Sequence, residues 1–373
     1  MNRKQHPSVI QFLLIFALLV VPLGGAYATL KVEPVFTNLQ SPWAFAFISD
    51  TDVLITLKGG EVLLANLQTQ QSLSLVGVPP SVVKGQGGLL DIELHPQFNN
   101  NQQLYLSFAY ETKEGYTTAL AKARLAEDRL LATEIIFVAE AHGSGGRHFG
   151  SRLEFDDLGY LYMTIGDRGQ RDLAQDLSVH QGKIVRLHDD GRVPEDNPFV
   201  GTAGARPEIY SYGHRNPQGM VFDHNNKRLW IHEHGPRGGD ELNLVLAGKN
   251  YGWPLVTFGR EYYGPKISDH TSMAGMESPV FQWTPSIAPS GMDIYRGELF
   301  KDWQDDILVG ALKYQLLTRV EMKDSEAMSE HRYLERSARI RDVKVGADGA
   351  VYVLTDAGRG QLWRVTPEDI ARN

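Results

Sequence analysis

The sequence predicts an all-β fold, a six-bladed β-propeller of four-stranded antiparallel blades with long inserts at one mouth of its central channel. A short apolar run recurs six times, as Leu54-Ile55-Thr56, Leu104-Tyr105-Leu106, Leu161-Tyr162-Met163, Leu229-Trp230-Ile231, Ile307-Leu308-Val309 and Val351-Tyr352-Val353, at spacings of 50, 57, 68, 78 and 44 residues. Periods of this size in a chain of alternating strands point to a radial array of blades. The segment Phe155-Asp-Asp-Leu-Gly159-Tyr-Leu-Tyr162-Met also matches Val345-Gly-Ala-Asp-Gly349-Ala-Val-Tyr352-Val, with Gly and Tyr equally spaced in both. Each reads as period-two strands joined by an Asp/Gly turn that tolerates positive φ. No long 3.6-residue apolar periodicity competes; a two-sheet sandwich would use the same local signals at closer spacing.

Taken in chain order, the first element is a leader. Arg3 and Lys4 precede an apolar run from Val9 to Leu23 and then Ala26-Tyr27-Ala28, the pattern of a cleaved secretory signal peptide over residues 1–28. The run is short for a bilayer span and is broken by Pro22, Gly24 and Gly25. The expected product is a periplasmic protein with no stable membrane span after cleavage. Residues 29–373 then form one propeller domain of about 57 residues per blade, with no Pro- or Ser-rich linker to divide it. The chain has no cysteine, so core burial and ring closure replace disulfides. Without the leader's two cations, 35 basic residues face 45 acidic ones, a formal charge of −10 with no basic cluster. Nucleic acid is excluded as a partner class.

Some 10 to 15 residues before each recurrent run begins the strand expected to line the channel: Trp43-Ala-Phe-Ala-Phe, Leu89-Leu-Asp-Ile-Glu-Leu, Ser151-Arg-Leu-Glu-Phe, Gly219-Met-Val-Phe, Gly291-Met-Asp-Ile-Tyr and Asp342-Val-Lys-Val. Gln86, Arg147 with His148, Arg215 with Asn216, Ser286 with Pro289, and Arg339 with Arg341 stand at the starts of these strands. All are expected to open onto one mouth. A single Arg or His at a strand end is ordinarily a solvated rim residue, but several cations beside one His make a site for a polyanionic ligand next to a general base.

Between the fourth and fifth blades runs His232-Glu-His-Gly-Pro-Arg-Gly-Gly-Asp-Glu-Leu-Asn-Leu, then Asn250-Tyr-Gly-Trp-Pro. Carbonyls at Gly235 and Pro236 with the carboxylates of Asp240 and Glu241 suit a hard cation such as calcium. His232 and His234 share a strand face, which leaves a transition metal as an alternative.

At these residues the chain resembles the soluble quinoprotein glucose dehydrogenases, most closely the periplasmic aldose sugar dehydrogenases. The resemblance runs from Ser41-Pro-Trp-Ala to Gly360-Gln-Leu-Trp-Arg through Gly85-Gln-Gly-Gly-Leu-Leu, Arg147-His-Phe-Gly-Ser-Arg-Leu, Thr164-Ile-Gly-Asp-Arg-Gly, Tyr212-Gly-His-Arg-Asn-Pro-Gln-Gly, Lys249-Asn-Tyr-Gly-Trp-Pro, Ala311-Leu-Lys and Arg339-Ile-Arg-Asp. It implies pyrroloquinoline quinone and Ca2+ as cofactors and oxidation of aldoses at C1, with His148 as the base that takes the C1 hydroxyl proton. It further implies Gln86 and Asp167 near the substrate, Arg215 and Asn216 beside the quinone oxygens, and Lys313, Arg339 and Arg341 on the cofactor's carboxylates. Tyr262 and Ala311 fall at further cofactor positions, Gly235 and Pro236 at the activating calcium, and Glu241 and Tyr251 at a structural one.

The chain departs from that pattern at Arg147, where the glucose dehydrogenases have Asp, and at Asp172 and His234, where they have Gln. Phe281 and Thr284 replace their Tyr and Trp, with Trp283 or Tyr262 as candidates to fill the space. An aldose and a separate, unidentified electron acceptor are the expected partners, and monomer and homodimer both stay open. A non-catalytic sugar- or protein-binding propeller and a calcium-dependent lactonase are the alternative functions.

Overall fold

The computed structural model describes residues 30–368; the expected signal peptide lies outside the described residues. Six four-stranded antiparallel sheets surround a central channel. Their innermost strands are Pro42–Phe47, Leu89–Leu94, Leu153–Phe155, Pro217–Asp223, Pro289–Ile294 and Ile340–Val345. We number the blades one to six in that order.

Each recurrent apolar run lies on the second strand of a blade, from Asp52–Leu57 in blade one to Val351–Thr355 in blade six. Both faces of these strands are covered by neighbouring blades, so they read as continuous apolar runs rather than as alternation. Leu54, Ile55, Leu161, Met163, Val351 and Val353 are all fully buried. Each such side chain contributes about 1.5–3 kcal/mol relative to exposure.

The two matching hairpins share their register, with Phe155 opposite Leu161 and Val345 opposite Val351. Gly159 and Gly349 take φ of 80° and 76°, where a Cβ would be strained. The Asp156 carboxylate accepts the N–H groups of Leu158 and Tyr160, both at 2.9 Å, and so fixes the turn.

Blade six holds one strand that the repeat does not foretell. Its outermost strand is the amino-terminal segment Leu30–Leu39, paired antiparallel with Gly360–Pro367 from Leu30 opposite Pro367 to Leu39 opposite Gly360. Only three of its strands, Ile340–Val345, Val351–Thr355 and Gly360–Pro367, lie around the last repeat, so the sheet is completed from the other end of the chain.

Blades are stitched to their successors by buried hydroxyls. Thr56 Oγ1 donates to the Leu90 carbonyl at 2.6 Å, Ser107 Oγ to Ser151 at 2.7 Å, and Ser290 Oγ to Ile340 at 2.6 Å. On the axis, Arg152 of blade three reaches Asp91 of blade two and Asp342 of blade six, both at 3.0 Å. Its Nε donates to the Gln218 carbonyl at 2.7 Å, and its guanidinium lies 4.3 Å from the Trp43 ring. Gly291 makes room there, since an added Cβ would sit 2.1 Å from the Asp342 carboxylate.

Candidate active site

The Gly-rich loop before the first strand of blade three carries His148 in the left-handed region, at φ 55°. A non-Gly residue holds that conformation at a cost of about 1 kcal/mol or more, so its neighbours must fix it. The His148 N–H donates to Gln86 Oε1 at 2.7 Å. The buried Arg168 guanidinium donates to the Arg147 carbonyl, and to the Gly145 carbonyl at 3.0 Å, and lies 3.4 Å from the Phe149 ring.

The His148 ring is oriented by Asp167, with Nδ1 and Oδ1 2.6 Å apart. Asp167 also accepts from Gly169 N–H at 2.7 Å and from Trp253 Nε1 at 2.9 Å. Burial pushes its pKa up, but the His148 hydrogen bond and the Arg215 charge outweigh that, and the carboxyl stays below its ordinary range. An ionised carboxylate only accepts, so Nδ1 carries the proton and Nε2 keeps its lone pair. Burial, assisted by Arg215 and Arg147 and opposed by Asp167, holds the His148 pKa below its ordinary value. The imidazole is therefore a neutral base at pH 7. It lines a cavity of about 100 Å³ together with Arg147, Arg171, Trp253, Glu261 and Tyr262.

Adjoining this is a cavity of about 300 Å³ whose wall includes Gln86, Asn216, His234, Lys58, Arg339 and Arg341. Asp356 braces the two arginines, accepting from Arg339 at 2.8 and 2.9 Å and pairing with Arg341 at 3.2 Å. The buried Nε of Arg341 has no partner among the described residues. Burial holds the Arg341 pKa below its ordinary value, and burial followed by the charge of Arg341 does the same to Lys58. Three cations against one carboxylate form a pocket for an anion. The donor set, including the orphaned Arg341 nitrogen, fits a multiply carboxylated ligand.

Lys58 is a wall residue of this cavity that the sequence reading missed. It lies just after the second strand of blade one, whereas the reading searched only the starts of innermost strands. Lys313 is not on that wall but follows Leu312, which is; it is exposed on the turn after Ile307–Ala311, its ammonium 5.3 Å from the Tyr314 ring. Ala311 is fully buried within that strand. Tyr262, 69% exposed, stands at the His148 cavity rather than among the cations.

Arg215 lines the His148 cavity and is tied to His234, a wall residue of the cationic one. Its N–H bonds Glu233 Oε2 at 2.5 Å, its Nη1 bonds the His234 carbonyl at 2.8 Å, and its guanidinium lies 5.3 Å from the Trp253 ring. Glu233 is held in turn by His214, 2.9 Å away and stacked on Tyr251.

Glu241 is pushed up to about 8 by burial and by Glu233, and the buried Asn243 Oδ1 has no partner among the described residues. Glu241, Tyr251 and Thr257 line a small void beside them. Crowded carboxylates and a free amide oxygen fit a hard, oxygen-loving cation. Asp240 differs: its oxygens accept the N–H groups of Gly235, Ile287 and Ala288 at 2.8–2.9 Å, joining blades four and five. Among the described residues no three His, Cys, Asp or Glu side chains converge on a metal position. His234 is kept neutral by burial, at about 3, with its Nε2 2.5 Å from the Pro289 carbonyl.

Of the other departures, Asp172 is exposed on the turn Arg171–Gln175. Phe281 packs edge-on against Trp283, with ring centroids 5.1 Å apart. Thr284 accepts the Gly239 N–H at 3.0 Å. Trp283 is buried and bonds Glu330 at 3.0 Å, so it belongs to the core rather than to the cavity.

A six-bladed propeller with a buried His–Asp pair beside a cationic channel-mouth cavity defines the class of molecule. The chain belongs to the glucose/sorbosone dehydrogenase family, whose model matches residues 39–364. It is 45% identical over 356 residues to aldose sugar dehydrogenase YliI of Escherichia coli, covering 93% of this chain and 95% of that one. The crystal structure of the soluble aldose sugar dehydrogenase from Escherichia coli in the apo-form superposes with a TM-score of 0.89 at 42% identity, over 91% of this chain and 100% of that one. The PQQ-bound aldose sugar dehydrogenase of Streptomyces coelicolor superposes with a TM-score of 0.75 at 27% identity, over 91% of this chain and 99% of that one.

Proposed function

We propose that residues 29–373 form an aldose dehydrogenase that oxidises its sugar at C1 to the lactone, with pyrroloquinoline quinone as hydride acceptor and an external partner taking the electrons. The observation that carries this reading is the 2.6 Å His148–Asp167 pair beside a cavity lined by Lys58, Arg339 and Arg341. Family membership and the PQQ-bound relative support it. When bound, the quinone, activated by calcium, supplies the two-electron chemistry that no side chain offers.

The remaining work falls to the chain's own residues. His148 Nε2 takes the proton of the C1 hydroxyl, and Asp167 stabilises the imidazolium that results. Gln86 holds the His148 backbone, and Trp253 holds Asp167. Lys58, Arg339 and Arg341 bind the cofactor's carboxylates, with Lys313 reaching in from the rim, while Arg215 and Asn216 serve the reacting end of the cavity. The carbonyls of Gly235 and Pro236 are the donors assigned to the activating calcium. Glu241 and Tyr251 are assigned to a second, structural ion. With the leader removed, the protein works in the periplasm; among the described residues no helix is long and apolar enough to cross a membrane.

The test is dye reduction by residues 29–373 with calcium, the quinone and a panel of aldoses, beside His148→Ala. Activity should require both quinone and sugar and fall roughly 10²–10⁴-fold in the variant. Absence of quinone binding, or hydrolysis of lactones without quinone, would overturn the reading.

A further inference from the structure

The cavity beside His148 carries a cation that neither the fold nor the base requires. Arg147 is exposed, its carbonyl held by Arg168, and its guanidinium rests over Gly169, where an added Cβ would meet Nε at 2.4 Å. Among the described residues this guanidinium has no ion-pair partner, although it lines the cavity. The other charged groups on that wall have partners or an assigned task, although Arg215, like Arg147, has no ion-pair partner among the described residues. Arg171 is paired with Glu261 at 2.6 Å, Arg215 with the His234 carbonyl at 2.8 Å, and Asp167 with His148 at 2.6 Å. With Arg215 given to the quinone end by the reading above, the Arg147 fork remains next to the base in a cavity of about 100 Å³, with the rings of Trp253 and Tyr262 as apolar walls for a sugar.

A neutral aldose leaves that fork unsatisfied, whereas a single carboxylate matches its geometry and charge. A phosphate dianion would set a second negative charge against Glu261. We propose that this site, on the aldose-oxidising reading above, prefers aldoses that carry a carboxylate, the hexuronic acids, over their neutral parents. Arg147 binds the carboxylate while C1 lies at His148. The reaction is the same two-electron oxidation: the C1 hydroxyl proton passes to His148, hydride passes to the quinone, and the C6 carboxylate is unchanged.

The experiment compares kcat/KM of the quinone-loaded enzyme for glucuronate and galacturonate with that for glucose and galactose, and with glucose 6-phosphate. The same ratios are measured for Arg147→Met and Arg147→Lys, and uronate binding to quinone-free protein is followed by calorimetry. The uronates should lead, through KM, by roughly 10-fold or more. That lead should shrink with ionic strength, vanish in Arg147→Met and largely survive in Arg147→Lys, and calorimetric binding should follow the same order. Neutral hexoses oxidised as well as uronates, a ratio indifferent to Arg147, or a preference for the phosphate sugar would each overturn this proposal and leave the dehydrogenase reading intact. Loss of turnover on every sugar would overturn that reading, and this proposal with it.

Discussion

His148 can act as a base only because one oxygen of Asp167 fixes its tautomer at 2.6 Å. An amide at position 167 could donate as well as accept and would no longer dictate which ring nitrogen holds the proton. Asp167→Asn is thus expected to keep its fold and lose about 10²–10⁴ in kcat, to be checked by steady-state kinetics beside a melting curve. In the unmodified enzyme, kcat/KM on a neutral hexose should rise with pH and level off. Its midpoint should lie below the ordinary imidazole value of 6.5, because burial, with Arg215 and Arg147, lowers the His148 pKa. A midpoint above that value would contradict the environment described. At this scale the sequence was legible for position: of the residues expected at the starts of innermost strands, Gln86, Asn216, Arg339 and Arg341 line one cavity and His148 the other. Trp253 and Lys58 were not legible as site residues, because their approach to Asp167 and to the arginines depends on the path of an insert and on blade curvature.

Elements hold these residues by a few clasps, of which Arg168 is the one most open to test. It is buried, with its pKa lowered to about 10 by desolvation, yet still charged at neutral pH. Its donors go to carbonyls of the loop that bears His148. Arg168→Ala should leave those carbonyls unsatisfied at a cost of about 1–3 kcal/mol and free the loop from its strained conformation. Circular dichroism should still report the propeller, with a lowered Tm, while kcat falls more than KM rises. Wild-type turnover in this variant would show that the loop holds itself. The hairpin match foretold two turns correctly because Asp and Gly act locally. The Arg168 clasp had no such local signal, since its partners come from a different loop.

For the whole molecule, the repeat gave blade number and the two inner strands of each blade, though not the outermost strand of blade six, because every second strand is sealed between neighbours and must be apolar. The axial ion cluster was less legible: Asp91, Arg152 and Asp342 lie far apart in sequence and meet only when the ring is formed. Arg152→Met would strand two buried carboxylates and is expected to cost about 3–5 kcal/mol. Denaturant titration of Arg152→Met beside the triple variant Arg152→Met, Asp91→Asn, Asp342→Asn should show part of that loss recovered. Equal losses in both would mean that the cluster's charges are not what holds the axis.

The strand Leu30–Leu39 gives the last blade an awkward history. It is the first described strand of the chain, yet its partner Gly360–Pro367 is the last one described. The ring cannot shut until synthesis is almost finished, and the long span of chain between the two ends makes that closing step slow. A polypeptide that delays its own locking in this way stays open until its two ends meet. It also leaves little tolerance for truncation, because loss of a few residues from the start of Leu30–Leu39 would begin to remove the latch itself.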